Sequence, residues 1–228
     1  MSTFSIQVPF FMFNPKSYLY GEKLYELARY VDKLAIKFDI DIFFTASFAE
    51  LNSISTMTKH LIVTAQHIDG IEPGRGMGHA LPESIYSAGA RACVLNHAEK
   101  PLTYSNLEKA VFRAKELGLI TIACASSYSE AKAIALLSPE IILCEPAELI
   151  GTKKISSDAY IKQTIEAVKI INEGIYVMQG AGISTSEDIL RNLQLGSDGN
   201  GATSGIMEAS DPQKALKDMI ETTATFSQ

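Results

Sequence analysis

Four times along this chain a helical pattern ends in a glycine and passes at once into a short apolar run: SAGARACVLN, KELGLITIAC, NEGIYVMQG and LQLGSDGNGA. Only glycine enters the left-handed conformation without steric cost, so Gly89, Gly118, Gly174 and Gly196 read as residues just past helix C-termini. The helix starts fall into step with these stops. Ser105 to Glu108 and Ser184 to Glu187 have capping-box spacing, and Pro82 and Pro212 suit a first helical turn. A chain punctuated in this way alternates helix and strand.

The apolar runs between the helices predict strands at Val8 to Phe13, Asp41 to Thr45, Leu61 to Ala65, Arg91 to Leu95, Thr121 to Ala125, Ile141 to Cys144 and Tyr176 to Gln179. Spacing alone puts an eighth at Gly199 to Gly205, where Asn200 and three glycines make a poor buried strand. Strands that are apolar almost throughout belong to a parallel sheet covered by helices on its outer face. About eight such units in 228 residues, with 46% hydrophobic composition to fill a core, favour a closed (β/α)8 barrel forming one domain over residues 1–228. No Gly-rich dinucleotide fingerprint follows the first strand, which speaks against an open doubly wound sheet.

The net charge is −6 and no run of lysines or arginines interrupts the sequence, so neither nucleic acid nor an anionic membrane is an expected partner. A small solute is. The three cysteines, Cys93, Cys124 and Cys144, have no zinc spacing and sit in or beside apolar runs, as buried free thiols of a reducing compartment do. No metal and no cofactor is expected. The N-terminal stretch carries neither a charged leader nor a small-residue cleavage site, and no apolar segment approaches the ~18 residues of a membrane span, so the expected location is the cytoplasm.

In a barrel of this kind the active site collects at the C-terminal strand ends. Polar residues gather there in this sequence: Asn14-Pro15-Lys16 after the first strand, Gln66-His67 after the third, Asn96-His97 after the fourth, Glu145-Pro146 after the sixth, and Gly180 to Ser184 after the seventh. A lysine, a histidine and a glutamate from distant parts of the chain can therefore converge on one cavity. Taken singly, Lys16 reads equally as a solvated loop residue, Glu145 as a capping acid and Asn14 as a turn former. His60, His67 and His79 receive no chemical role.

The segments NPK, AQHIDGIEPGRGMGHALPE, LNHAEK, CEPAELIGT, GAGISTSED and SGIMEASDP, in that order, make the chain resemble the triosephosphate isomerases, and in particular their short archaeal-type form. The resemblance implies an aldose–ketose isomerase for a small phosphorylated sugar, working through an enediol. It implies Glu145 as the base, His97 as the electrophile and Lys16 as the positive charge beside the reacting oxygen, with Glu99 in support. It places the substrate against Asn14 and its phosphate against Gly151, the turn at Ala181 and Gly182, and Ser204 and Gly205. It also makes the segment after Glu145 a lid.

Several positions depart from that family. Ala98 and Lys100 stand where serine and arginine are usual, Lys153 replaces a glycine near the end of the lid, and Asp198, Asn200 and Gly201 replace apolar residues of the eighth strand. An isomerase for another small phosphosugar and a non-catalytic barrel that binds a phosphometabolite therefore stand beside the first reading. The long loop from His67 to Ala80 carries Met77 between glycines at its tip, which suits packing into another copy of the chain, as a homodimer or homotetramer.

Overall fold

In the computed structural model, which describes residues 5–152 and 154–226, eight parallel strands close into a barrel in sequence order, each pairing with its neighbours and β8 with β1. The elements run β1 (Phe10–Phe13), α1 (Gly21–Phe38), β2 (Ile42–Ala46), α2 (Leu51–Met57), β3 (Leu61–Ala65), α3 (Pro82–Ser87), β4 (Ala92–Leu95), α4 (Tyr104–Leu117) and β5 (Ile120–Ala125). They continue with α5 (Tyr128–Ala135), β6 (Ile141–Cys144), α6 (Asp158–Ile171), β7 (Tyr176–Gln179), α7 (Ser186–Gln194), β8 (Gly199–Ala202), α8 (Ser204–Met207) and α9 (Pro212–Thr225).

Two apolar layers hold the barrel. Along every strand alternate residues point to opposite faces, so Phe10, Met12, Phe43, Val94, Ile122, Leu143 and Met178 fill the interior, while Phe11, Phe13, Phe44, Leu95, Ile142 and Val177 pack under the helices. Phe10 lies edge-on to Phe43, with ring centroids 5.4 Å apart, and to Tyr176 at 6.2 Å, closing the floor.

β8 contributes no side chain to the interior, because Gly199 and Gly201 are its inward residues. At Gly199 the reason is steric: a Cβ built there would stand 2.5 to 2.8 Å from three atoms of the Phe10 ring. The composition that reads as a poor strand is thus the composition that lets β8 lie against β1. Asn200 faces outward, fully buried, and its Oδ1 accepts a hydrogen bond from Asn192 Nδ2 of α7 at 2.9 Å.

The local signals shift by a residue or two. The N-cap of α4 is Thr103, whose side chain accepts from Asn106 N, rather than Ser105. The capping box of α7 joins Thr185 to Asp188, one residue beyond the Ser184 to Glu187 pair. Gly89, Gly118 and Gly196 take positive φ at helix ends, but Gly174 does not: α6 stops at Ile171, and Asn172 in an extended conformation ends it. β8 ends at Ala202 instead of reaching Gly205, because Ser204 already begins α8. His67, placed by sequence in a long loop where histidines face solvent or an interface, is buried and bonds to Asp69 Oδ1 at 3.2 Å. The three cysteines are buried and unpaired. Lys153 lies outside the described residues.

The Phe10 contact gives a direct test. Gly199→Ala should lower stability by about 1 to 3 kcal/mol, as overpacking of a filled core does. Phe10→Leu in the same chain should restore part of that loss, whereas Gly201→Ala, whose Cβ meets at 2.9 Å only the terminal methyl of Met178, should cost less. Chemical denaturation of these variants beside the parent checks the ordering.

Candidate active site

β1 delivers Lys16 through a turn that its backbone would not choose unaided. Lys16 takes φ 45°, a left-handed conformation that costs a non-glycine residue on the order of 1 kcal/mol. Asn14 holds it there. Its Oδ1 accepts from Lys16 N at 2.9 Å and from Thr45 Oγ1 of β2 at 2.6 Å, and Gln66 Nε2, after β3, donates to Lys16 O at 3.1 Å. The lysine stem is thereby fixed against three strand ends, and its ammonium pairs with Glu99.

β4 delivers His97 through a second left-handed residue, Asn96 at φ 56°. The Asn96 side chain accepts from Leu102 N at 2.9 Å and donates to Cys124 O at 3.0 Å and Glu130 Oε1 at 2.8 Å, pinning the loop to the ends of β5 and α5. The backbone N–H of Glu99 then donates to His97 Nδ1 at 3.1 Å. That bond leaves Nδ1 without a proton, so the neutral ring carries its hydrogen on Nε2. Burial lowers the histidine pKa, the neighbouring Lys16 charge lowers it further, and Glu99 opposes them. The imidazole is therefore a neutral donor at its Nε2 end.

Nε2 faces Glu145 Oε2 across 3.7 Å, beyond hydrogen-bond reach, and each side chain is only 13% exposed. Burial pushes the Glu145 carboxyl up to about 7, with Lys16 pulling it down and Glu99 adding to the rise. Gly180 of the β7 turn makes the room: a Cβ there would stand 2.8 Å from Leu143 Cδ1 and 3.0 Å from Glu145 Oε1. A base near neutrality and a neutral N–H donor, both aimed at one space, can together take a proton from carbon and steady the oxygen beside it.

That space is a cavity of about 510 Å³, lined among others by Asn14, Lys16, His97, Glu145, Gly151, Gly182 and Ser204. Glu99 borders it as well; Ala181 and Gly205 do not. Ala181 is buried, and Gly205 is spent on packing, since a side chain there would run into Ile183 O and the Ser184 backbone. Gly182 is in the same position against Lys154 O, at φ 71°. Three turns are thus stacked backbone to backbone: the segment entering α6, the β7–α7 turn and the β8–α8 turn. A short 3-10 helix, Ala147–Leu149, follows Pro146; after it Ile150 and Gly151 border the cavity, Gly151 in a left-handed conformation at φ 73°.

A second cavity of about 180 Å³ lies behind Glu145, lined by Asn96, Ala98, Cys124, Ser126 and Glu130 among others. Ala98 offers no hydroxyl there, and Ser126 Oγ donates to Glu130 Oε2 at 2.6 Å instead of to Glu145. Among the described residues no cluster of histidine, cysteine and carboxylate groups could hold a metal ion. Of the residues that fix the loops carrying Lys16 and His97, Gln66 and Asn96 stand among the polar strand-end residues read from the sequence, whereas Thr45 and Glu130 do not. Asn96 had a legible signal, an asparagine just past a strand where left-handed backbone is cheap; for Glu130 the sequence holds none.

The comparisons with known proteins agree with this geometry. A family model described as triosephosphate isomerase matches residues 9–223. The triosephosphate isomerase of Sulfurisphaera tokodaii is 36% identical over 216 residues, covering 93% of this chain and 94% of its own. That of Methanocaldococcus jannaschii is 37% identical over 204 residues, covering 88% and 93%, and that of Methanosarcina barkeri 36% over 218, covering 93% and 98%. Matched along nearly its whole length, and folded as a closed eight-stranded barrel, the chain belongs to the triosephosphate isomerase family.

Proposed function

We propose that this barrel interconverts dihydroxyacetone phosphate and glyceraldehyde 3-phosphate, and that Glu145, His97 and Lys16 carry the reaction. The observation that supports it most is the pairing of a carboxylate raised to about 7 with the Nε2–H of a neutral imidazole across 3.7 Å of one cavity. Glu145 takes the proton from the carbon beside the carbonyl. As charge grows on the oxygen, His97 Nε2–H and the Lys16 ammonium stabilise it; His97 passes its Nε2 proton to that oxygen and takes the proton of the neighbouring hydroxyl. The enediolate so formed takes its carbon-bound proton back from Glu145 at the neighbouring carbon, leaving the new carbonyl. Preorganised donors cost no rearrangement at that moment, which is why the bonds that fix His97 and Lys16 count in the rate.

The phosphate lies against backbone N–H groups at Gly151, Gly182 and Ser204, which suit a dianion as helix starts and glycine turns do. Asn14 orders the Lys16 turn and borders the same cavity. The segment after Pro146 is the lid; closing it removes water and keeps the enediol from losing phosphate. A pure binding protein has no use for a base aimed at a carbon, which favours the enzyme over the non-catalytic reading. No helix among the described residues is long and apolar enough to cross a membrane, and a cytoplasmic location fits the free thiols.

The assembly we propose is a homo-oligomer, a dimer or a tetramer. Met77, at the tip of the loop between β3 and α3, is fully exposed on the isolated chain. Beside Lys16 lies a groove of about 340 Å³ lined by Phe48, Gln66, His67, Val94 and Lys100 among others, of a size to take a loop tip from a second copy. Asp69 keeps the loop in shape, bonding to Ala80 N at 2.7 Å and to His67 and His79 at 3.2 Å. Burying Met77 in such a contact contributes about 1.5 to 3 kcal/mol.

A coupled assay on the purified protein tests the reaction, with four- and five-carbon phosphosugars alongside. Glu145→Gln should lower turnover by orders of magnitude while the fold persists; near-parental turnover would remove Glu145 from the base role. The carboxyl pKa supplies a second readout. Its rise from 4.5 to about 7 in the folded state means that stability from the protonated form is present below the unfolded value and lost as pH rises through about 7. Glu145→Gln should therefore melt higher than the parent at pH 8 and alike near pH 4, and kcat/KM of the parent should fall as pH drops below about 7.

Met77→Asp should release smaller species and lower activity, because a charge in the contact cannot be buried. Sedimentation across a range of concentrations decides it: an active parent monomer, or a variant with unchanged assembly, counts against the contact.

A further inference from the structure

β7 and β8 end side by side, and Gln179 and Asn200 are Cα partners across them. Both side chains leave the barrel outward, since Met178 packs inside and Val177 outside, and Asn200 reaches α7. Gln179 is 2% exposed and Asn200 is fully buried. Asn200 Oδ1 is satisfied by Asn192, yet Asn200 Nδ2 has no hydrogen-bond partner among the described residues, and neither Oε1 nor Nε2 of Gln179 has one. A donor and an acceptor thus lie on neighbouring strands at the same level, both removed from solvent and both unused. Buried amides are ordinarily paired, and leaving one unpaired lowers stability more than an apolar residue of the same shape would.

The pair stands directly below the phosphate turns. Gln179 leads into the turn that brings Gly182 to the cavity, and Asn200 into the turn that brings Ser204 there. The two turns touch where Gly205 lies against Ile183 O and Ser184. Their separation sets whether N–H groups from both can reach one phosphate, and the unpaired amides sit at the root of both turns.

We propose that Gln179 and Asn200 are positioning residues for the substrate phosphate: as the anion orders the two touching turns above them, the two side chains rotate toward each other and Asn200 Nδ2 donates to Gln179 Oε1, a hydrogen bond not made in the free fold. The inference rests on the phosphate site proposed for this cavity. The bond forms only with phosphate in place, so its energy goes into binding the anion rather than into holding the free fold, and the stability forgone in leaving the amides unpaired is recovered on binding.

Gln179→Met removes both amide atoms, keeps the length of the side chain and breaks no hydrogen bond of the structure. Calorimetry with inorganic phosphate should show binding weakened about five- to tenfold, the worth of one hydrogen bond. KM for dihydroxyacetone phosphate should rise by a similar factor, and kcat should change by less than about twofold. The melting temperature without phosphate should be equal or higher, an outcome that a merely structural glutamine would not give. In an Asn200→Leu background the same substitution should have no further effect on phosphate affinity, because the partner is already gone. Unchanged phosphate affinity in Gln179→Met, an equal loss in both backgrounds, or a lower melting temperature of the free protein would each overturn the proposal. A parent protein that binds no phosphate would overturn the site reading with it, whereas a parent that binds phosphate as tightly as the variant overturns the positioning role alone.

Discussion

The seam between β8 and β1 is the constraint on which the rest depends. A parallel barrel has no edge only if its last strand finds its first, and here the approach is limited by the ring of Phe10, which occupies the place a side chain at residue 199 would need. Glycine resolves the conflict. Closure then sets Asn14 N on Ala202 O at 3.4 Å, so the turn carrying Lys16 and the turn carrying Ser204 become neighbours although they stand at opposite ends of the sequence. The inward glycine one layer up, Gly201, borders the cavity of about 510 Å³ together with Met12 and Leu143, so the cavity reaches down to the inner layer above the floor on that side.

On that frame the proposed chemistry depends on one residue that faces two ways. Glu99 pairs through its carboxylate with the Lys16 ammonium and through its backbone N–H with His97 Nδ1. The carboxylate bond lowers its own pKa, keeping it ionised beside the lysine, while the N–H bond fixes the histidine tautomer. Two charges of opposite sign are in this way gathered at the cavity wall, and the imidazole beside them stays neutral. Glu145, held away from water, has its carboxyl brought into the range where it takes and returns protons readily. Ala98 offers this carboxylate no hydroxyl in the small cavity behind it, and among the described residues Ser126 Oγ there is turned to Glu130 instead.

Much of the architecture was legible because it is written in a period that the strand geometry imposes. Runs such as Leu61 to Ala65, Ile141 to Cys144 and Tyr176 to Gln179 are buried on both faces, which apolar continuity reveals, and their observed bounds coincide with the expected ones. The polar residues that end the runs pointed to the cavity, since a residue just past a barrel strand has nowhere else to go. β8 was hard to see for a reason that lies elsewhere in the chain: its glycines answer to Phe10, and a local reading of GNGA cannot know that a ring will stand opposite. The same holds for the caps. Thr103 and Thr185 compete with Ser105 and Ser184 as equally good acceptors, and tertiary packing of the first helical turn decides between them. Gly174 shows the converse, a glycine in the expected place that the helix does not use because Asn172 has already turned the chain.

At the centre of the proposed chemistry stands His97 as a neutral imidazole with its proton on Nε2, and nitrogen-15 NMR of the imidazole rings reads that state directly. With four histidines in the chain, a His97→Gln variant assigns the signal. The His97 ring in the free protein is expected to titrate below the usual histidine midpoint and so to be neutral at pH 7, with the hydrogen on Nε2 and a deprotonated Nδ1. An imidazolium at pH 7, or a neutral ring carrying its hydrogen on Nδ1, would contradict it.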